Sequence, residues 1–207
     1  MVEVYFYLPA QEVENAVECG LKLSKWYDKE VHIGLENKKC MSALLNPKDD
    51  MKKYKDESLQ CVKLELYPRY CYVADRYLYE MGLTHPEIMD LYKDSVMPIE
   101  QYTFGLYRLP ECLVTSTIIG EQVSLLDRGL GSPVLFDKSE ELYINNIIED
   151  YKETYEDFND VLLYYFYCNL EKLGKLTRIE DDDKEFVVFL DKNIGRAFTI
   201  KKPGISW

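Results

Sequence analysis

Histidine is scarce in this sequence. His32 and His85 are the only two, and 25 basic residues face 37 acidic ones in 207. Each shortage excludes something. The six cysteines (Cys19, Cys40, Cys61, Cys71, Cys112 and Cys168) never fall in a C-x-x-C spacing. With so little imidazole to complete a ligand set, no structural metal site is expected. Basic residues come only in short groups such as "KKYK" (52–55), and the formal charge is −12. A surface that neutralises a phosphate backbone needs clustered Lys and Arg, so nucleic acid is disfavoured as a partner. One basic cleft inside an acidic protein stays compatible with this balance. No apolar run is long enough for a bilayer, and the opening "MVEVYFYLPA" has no basic segment before its apolar one. A soluble cytoplasmic protein with no membrane partner is the expectation. Walker and G-x-S-x-G motifs are missing, and "GLGSP" (129–133) has no third glycine for a dinucleotide fingerprint.

What is present is globular. Hydrophobic residues make up 47% and charged residues 30%, values that fit a packed chain rather than a disordered one. The length allows one large domain, or one with a smaller companion. Tyrosine is abundant at 18 residues, in runs such as "VYFYL" and "LLYYFYCNL". Its broad apolar ring and polar tip suit half-buried strands and pocket walls.

Along the chain, "EVYFYL" reads as a strand, Pro9 pre-sets a helical turn, and Val13, Ala16 and Val17 follow at helical spacing up to Gly20. The stretch "HIGLENKKCMSALLNPKDDMKKYKDES" reads as loop-rich. In "LQCVKLELYP", Val62, Leu64 and Leu66 alternate with polar neighbours, the mark of a half-buried strand. "CYVADRYLYEM" continues as strand or short helix. "THPEIMDLYKD" suggests a capping box with Thr84 as N-cap and Glu87 three residues on. "ECLVTSTI" is another strand. Leu142, Ile147, Ile148 and Tyr151 mark one amphipathic helix, and Phe158, Val161, Leu162, Tyr165 and Leu173 a second, stopped by Gly174. "KLTRI", "EFVVFL" and "RAFTI" are three closing strands. The first two are joined by the acidic turn "EDDDK", which makes a DNA-reading wing improbable.

Three stretches carry a family likeness. They are "VYFYLPAQEVENAVECGLKL", the loop "ALLNPKDDMKKY", and "LPECLVTSTIIGEQV". In that order they resemble the ADP-ribosyltransferase-like superfamily, and within it the DarT-type enzymes. The resemblance implies an α+β fold, with a split β-sheet core and helices over 1–128. A helical pair with a small β-sheet would follow over 129–207. It implies NAD as the substrate that supplies the ADP-ribose. Glu111 takes the place of the catalytic glutamate, Lys48 that of an arginine on the NAD diphosphate, and Tyr54 an aromatic wall of the same loop. A carboxylate beside the ribose suits the oxocarbenium character of the transition state. The family's first-strand His or Arg falls on Phe6, or with a one-residue slip on Tyr5 or Tyr7. Only tyrosine of these can hydrogen-bond.

The residues leave two functions open. One is an NAD-dependent ADP-ribosyltransferase using Glu111, with Tyr5, Tyr7, Lys48 and Tyr54 around the NAD. The other is a catalytically silent member of the same fold that acts through a protein partner. Glu111, directly after Pro110, equally suits the plain start of a strand.

Overall fold

The computed structural model describes residues 1–103, 106–126 and 160–203. The fold is mixed α+β. The chain divides into two compact units, Met1–Gly129 and Leu130–Trp207. The first holds an antiparallel sheet of eight strands. They are β1 (Val2–Pro9), β2 (Lys29–Ile33), β3 (Glu36–Leu44), β4 (Leu59–Leu66), β5 (Cys71–Asp75), β6 (Met97–Pro98), β7 (Pro110–Val114) and β8 (Val123–Leu125). Their spatial order is β6-β5-β7-β3-β1-β4-β8, and β2 pairs only with β3.

Alternation along the strands divides the sheet into two faces. Val4, Leu8, Ala43, Val62, Leu64, Cys112 and Val114 build the main core, closed by Val13 and Ala16 of α1 (Val13–Cys19) and by Leu21 and Ile118. Phe6 packs at its margin, edge-on to Trp26 at 5.9 Å. Helix α1 stops at Gly20, whose φ of 81° suits a residue without Cβ and whose N–H reaches Ala16 O. A Cβ at Gly20 would stand 2.1 Å from Ile118 O, so glycine is needed twice over.

The opposite face carries Tyr5, Tyr7, Leu44, Cys61 and Glu111, and three further helices belong to this unit. They are α3 (Met51–Lys55), α4 (Arg76–Gly82) and α5 (Pro86–Ser95), with the short α2 (Leu23–Trp26) earlier in the chain. "CYVADRYLYEM" holds both of its readings in turn, strand to Asp75 and helix from Arg76. Asp75 caps that helix by accepting from Tyr77 N–H at 3.0 Å.

Two local expectations are corrected. Residues 32–58 are not a loop-rich stretch, because Lys29–Ile33 and Glu36–Leu44 form a hairpin turned by Gly34 and Leu35. Gly34 has φ 67°, as two-residue hairpin loops demand. The polar run "ENKKC" hides the strand because its first half pairs only with β2, away from the main core. Thr84 is also not the cap of α5. His85 holds the N-cap position and Pro86 the first turn, while the Thr84 hydroxyl turns back to Met81 O.

In the second unit the described residues form helix α6 (160–172) and a three-stranded antiparallel sheet. Its strands are β9 (Thr177–Glu180), β10 (Phe186–Asp191) and β11 (Arg196–Lys201), with β10 central. Cys168, Leu176, Val187, Phe189 and Ile200 make its core. Gly174, at φ 70°, ends the helix as expected. The helix marked by Leu142 to Tyr151, and the "GLGSP" loop, lie outside the described residues.

Candidate functional site

Glu111 opens the middle of the sheet. In register across the strands stand Ala74, Glu111, Leu44 and Tyr5, on β5, β7, β3 and β1. Residues so aligned point to one face, so the Glu111 carboxylate rises from the face that carries Tyr5 and Tyr7. Phe6 turns to the other. Glu111 is only 1% exposed, among the least accessible side chains in the structure.

A carboxylate buried this deeply must be compensated. Lys29 does so from the first residue of β2, placing Nζ 2.7 Å from Oε1 and 2.5 Å from Oε2. Its own side chain is 8% exposed. Tyr92, on the buried stripe of α5 with Ile88 and Ser95, donates its hydroxyl to Oε1 at 3.0 Å. Burial, then the Glu111 charge, pushes the Tyr92 phenol far above its ordinary range. It therefore stays a donor. The Lys29 ammonium also sits 3.8 Å from the Tyr79 ring centroid. Two carboxylate oxygens and one ring face thus account for its three N–H bonds.

The pair forms the floor of a cavity of about 210 Å³, lined also by Asp28, Ser42, Leu44, Lys53, Arg76, Tyr79 and Glu80. That is below the 300–1,000 Å³ typical of sites for drug-sized ligands. Arg76 is held by two carboxylates, Nε to Glu80 at 2.9 Å and Nη1 to Asp50 at 3.0 Å. Burial opposes the charge on Asp50, but the Lys53 amide and Arg76 outweigh it and hold the carboxyl below its usual value. Asp75, beside the site, behaves oppositely. Burial, with the Glu111 charge, raises it to about 6 against the caps it makes.

The residues singled out in the sequence divide into two groups. Tyr5, Tyr7 and Tyr54 meet in one apolar cluster with Leu44, Cys61 and Leu59. The Tyr7 hydroxyl donates to Pro47 O at 2.9 Å, tying β1 to the "NPKDD" turn. Tyr5 lies two strands from Glu111, roughly 10 Å between Cα atoms, and is not among the residues that line the cavity. Lys48 is exposed on the 3-10 turn Pro47–Asp49 and does not line the cavity; the lining cations are Lys29, Lys53 and Arg76. Glu121 is exposed in the 3-10 turn Gly120–Gln122. Cys112 lies in the main core on the other face, and His32 pairs with Asn37.

Lys29 and Tyr92 were not singled out in the sequence. Lys29 did leave a trace, because in "KEVHI" it shares the inward side with Val31 and Ile33. A lysine on the apolar side of a strand asks for a buried acid. Among the described residues no cluster of His, Cys, Asp and Glu could hold a metal, and no helix is long and apolar enough to cross a membrane. No protein-family model, no curated protein and no solved structure matches this chain.

Proposed function

We propose that the Met1–Gly129 unit is a catalytically silent binding module built on an ADP-ribosyltransferase-like plan. One observation carries this reading. Both oxygens of Glu111 are bound by Lys29, and Oε1 also by Tyr92, in a site nearly closed to water. A transfer catalyst must present its carboxylate to a ribose or an acceptor hydroxyl. Here three of about four acceptor positions are already taken, and freeing the carboxylate would strand a buried ammonium. The cavity above the pair is left to hold a ligand, or the segment of a protein partner, without turning it over.

The second reading, an NAD-dependent ADP-ribosyltransferase of unknown acceptor, is favoured by a different observation. Glu111 lines the same cavity as Arg76 and Lys53, two cations suited to a diphosphate. In that case NAD binding must draw Lys29 away from Glu111.

Incubation of the protein with NAD labelled in the adenylate and in the nicotinamide separates the two readings. The binding module releases no nicotinamide above the solvent rate, while Glu111→Gln lowers its thermal stability. Release or transfer by the wild type, abolished in Glu111→Gln with the melting temperature kept, would establish the enzyme instead.

A further inference from the structure

Helix α6 is apolar on two sides, and only one of them packs in the core of its unit. Cys168, with Tyr164, Tyr167 and Leu170 around it, faces Val187 and Phe189 of β10. Turned away from that core stand Leu162, Phe166, Asn169 and Leu173, the last held just past the helix by its N–H bond to Asn169 O. At about 100° per residue these four fall within a stripe of about 60°, opposite Tyr164 and Tyr167. Leu162 is 55% exposed, Phe166 56% and Leu173 69%, and Leu163 and Tyr165 flank them at 39% and 59%. A surface helix normally sets its charges opposite its core stripe. Along α6 the only exposed charge is Lys172, since Asp160 is buried and Glu171 turns to Arg178 at 3.4 Å.

The spacing names the kind of partner. Leu162, Phe166, Asn169 and Leu173 follow one another at four, three and four residues, the seam by which one helix packs along another in a coiled coil. Such a seam asks for a helix of the same character, and Asn169 chooses which. Once buried, its carboxamide needs a partner. In a parallel pair of two copies Asn169 meets Asn169 and the carboxamides bond to each other, while Phe166 meets Phe166. At about 200 Å² for each large apolar residue, the exposed fractions amount to roughly 550 Å² per copy. Two copies would cover up to about 1,100 Å², the small end of specific interfaces. We infer that the protein self-associates reversibly through α6, two copies laying their Leu162–Leu173 seams side by side in parallel. The net charge of −12 opposes the approach of two copies, so the association is weak at low salt and tightens as salt screens it. This surface belongs to the second unit and owes nothing to the cavity at Glu111.

Sedimentation velocity of the full chain, from micromolar to millimolar concentration, is the test. A single monomer–dimer equilibrium is expected, tighter in moderate than in low sodium chloride. Phe166→Glu should weaken it by about tenfold or more, since two carboxylates would meet in an apolar seam, and Phe166→Lys likewise. Mixed in equal amounts, the two variants should associate more tightly than either alone, because position 166 meets its own copy only in the parallel pair. Asn169→Leu should strengthen the dimer. Phe166 lies outside the core of its unit, so melting of the dilute variants by circular dichroism should match wild type. The inference is overturned if wild type stays monomeric at millimolar concentration, if Phe166→Glu dimerises as wild type does, if salt loosens the dimer, or if mixing brings no gain. A monomeric wild type whose Phe166→Glu variant melts earlier would mean that the face is covered from within the chain. Binding to phosphatidylcholine vesicles in place of self-association would assign the face to lipid. Either result overturns the dimer.

Discussion

Replacing Glu111 by methionine is the sharpest perturbation available. It removes both acceptors of the Lys29 ammonium and the acceptor of the Tyr92 hydroxyl. Breaking a buried pair by deleting one partner typically costs about 3–5 kcal/mol, because the surviving charge is left without compensation. For the unit Met1–Gly129, an unfolding entropy of about 2.1 cal/mol/K per residue gives roughly 0.27 kcal/mol per degree. The expected fall in melting temperature is then about 11–18 °C. Lys29→Met should cost a similar amount, by stranding the carboxylate. The double variant should recover most of the loss, since replacing a whole buried pair by apolar residues is often neutral. Only the Tyr92 hydroxyl remains unpaired in it. Urea unfolding followed by far-ultraviolet circular dichroism measures all four corners of the cycle. If either single variant lies within about 1 kcal/mol of wild type, or if the two losses simply add, the pair is not the keystone described here.

Other expectations follow from particular residues. Asp75 titrates near 6 in the folded protein, above its unfolded value, so the folded state holds this proton more tightly. Its contribution to stability is therefore greatest below pH 4 and declines as pH rises to about 6, by about 1–3 kcal/mol. Asp75→Asn, which still caps α4, should flatten that slope in urea titrations and be more stable than wild type at pH 7.5; an unchanged slope would refute the assignment. Gly20→Ala should cost more than the roughly 1–3 kcal/mol of a glycine-only backbone conformation (φ 81°, ψ −170°), since its Cβ meets Ile118 O at 2.1 Å; a loss below about 1 kcal/mol would mean the loop yields freely. Lys48→Ala should leave stability and any ligand affinity of the cavity within a factor of two, because its side chain is exposed and away from the lining.

Much of the architecture is legible in local pattern. Val62, Leu64 and Leu66 reveal β4 because alternation and burial coincide there, and "EFVVFL" reveals β10 because a central strand is apolar throughout. The β2–β3 hairpin escapes detection because the outer half of β3 buries nothing, so lysines at 38 and 39 are tolerated and erase the alternation. The site is harder still. Glu111 is conspicuous after Pro110, yet its burial is decided by Lys29, 82 positions earlier, and by Tyr92, 19 positions earlier. Separations of that size leave no periodic signal. Only one end, Glu111, was read; the trace of the other is a lysine on the inward side of "KEVHI".

The position of β7 has a consequence for how the molecule is made. It lies between β5 and β3, both earlier in the chain, and among the described residues it is the one strand that joins them in the strand order. Until residue 114 has been synthesised, the growing chain therefore holds two separate sheet fragments, each with an unpaired inner edge. Such edges are templates for pairing with other chains. Nascent or truncated forms ending before Pro110 should be the aggregation-prone ones, and emergence of "PECLV" should be the step that seals the sheet.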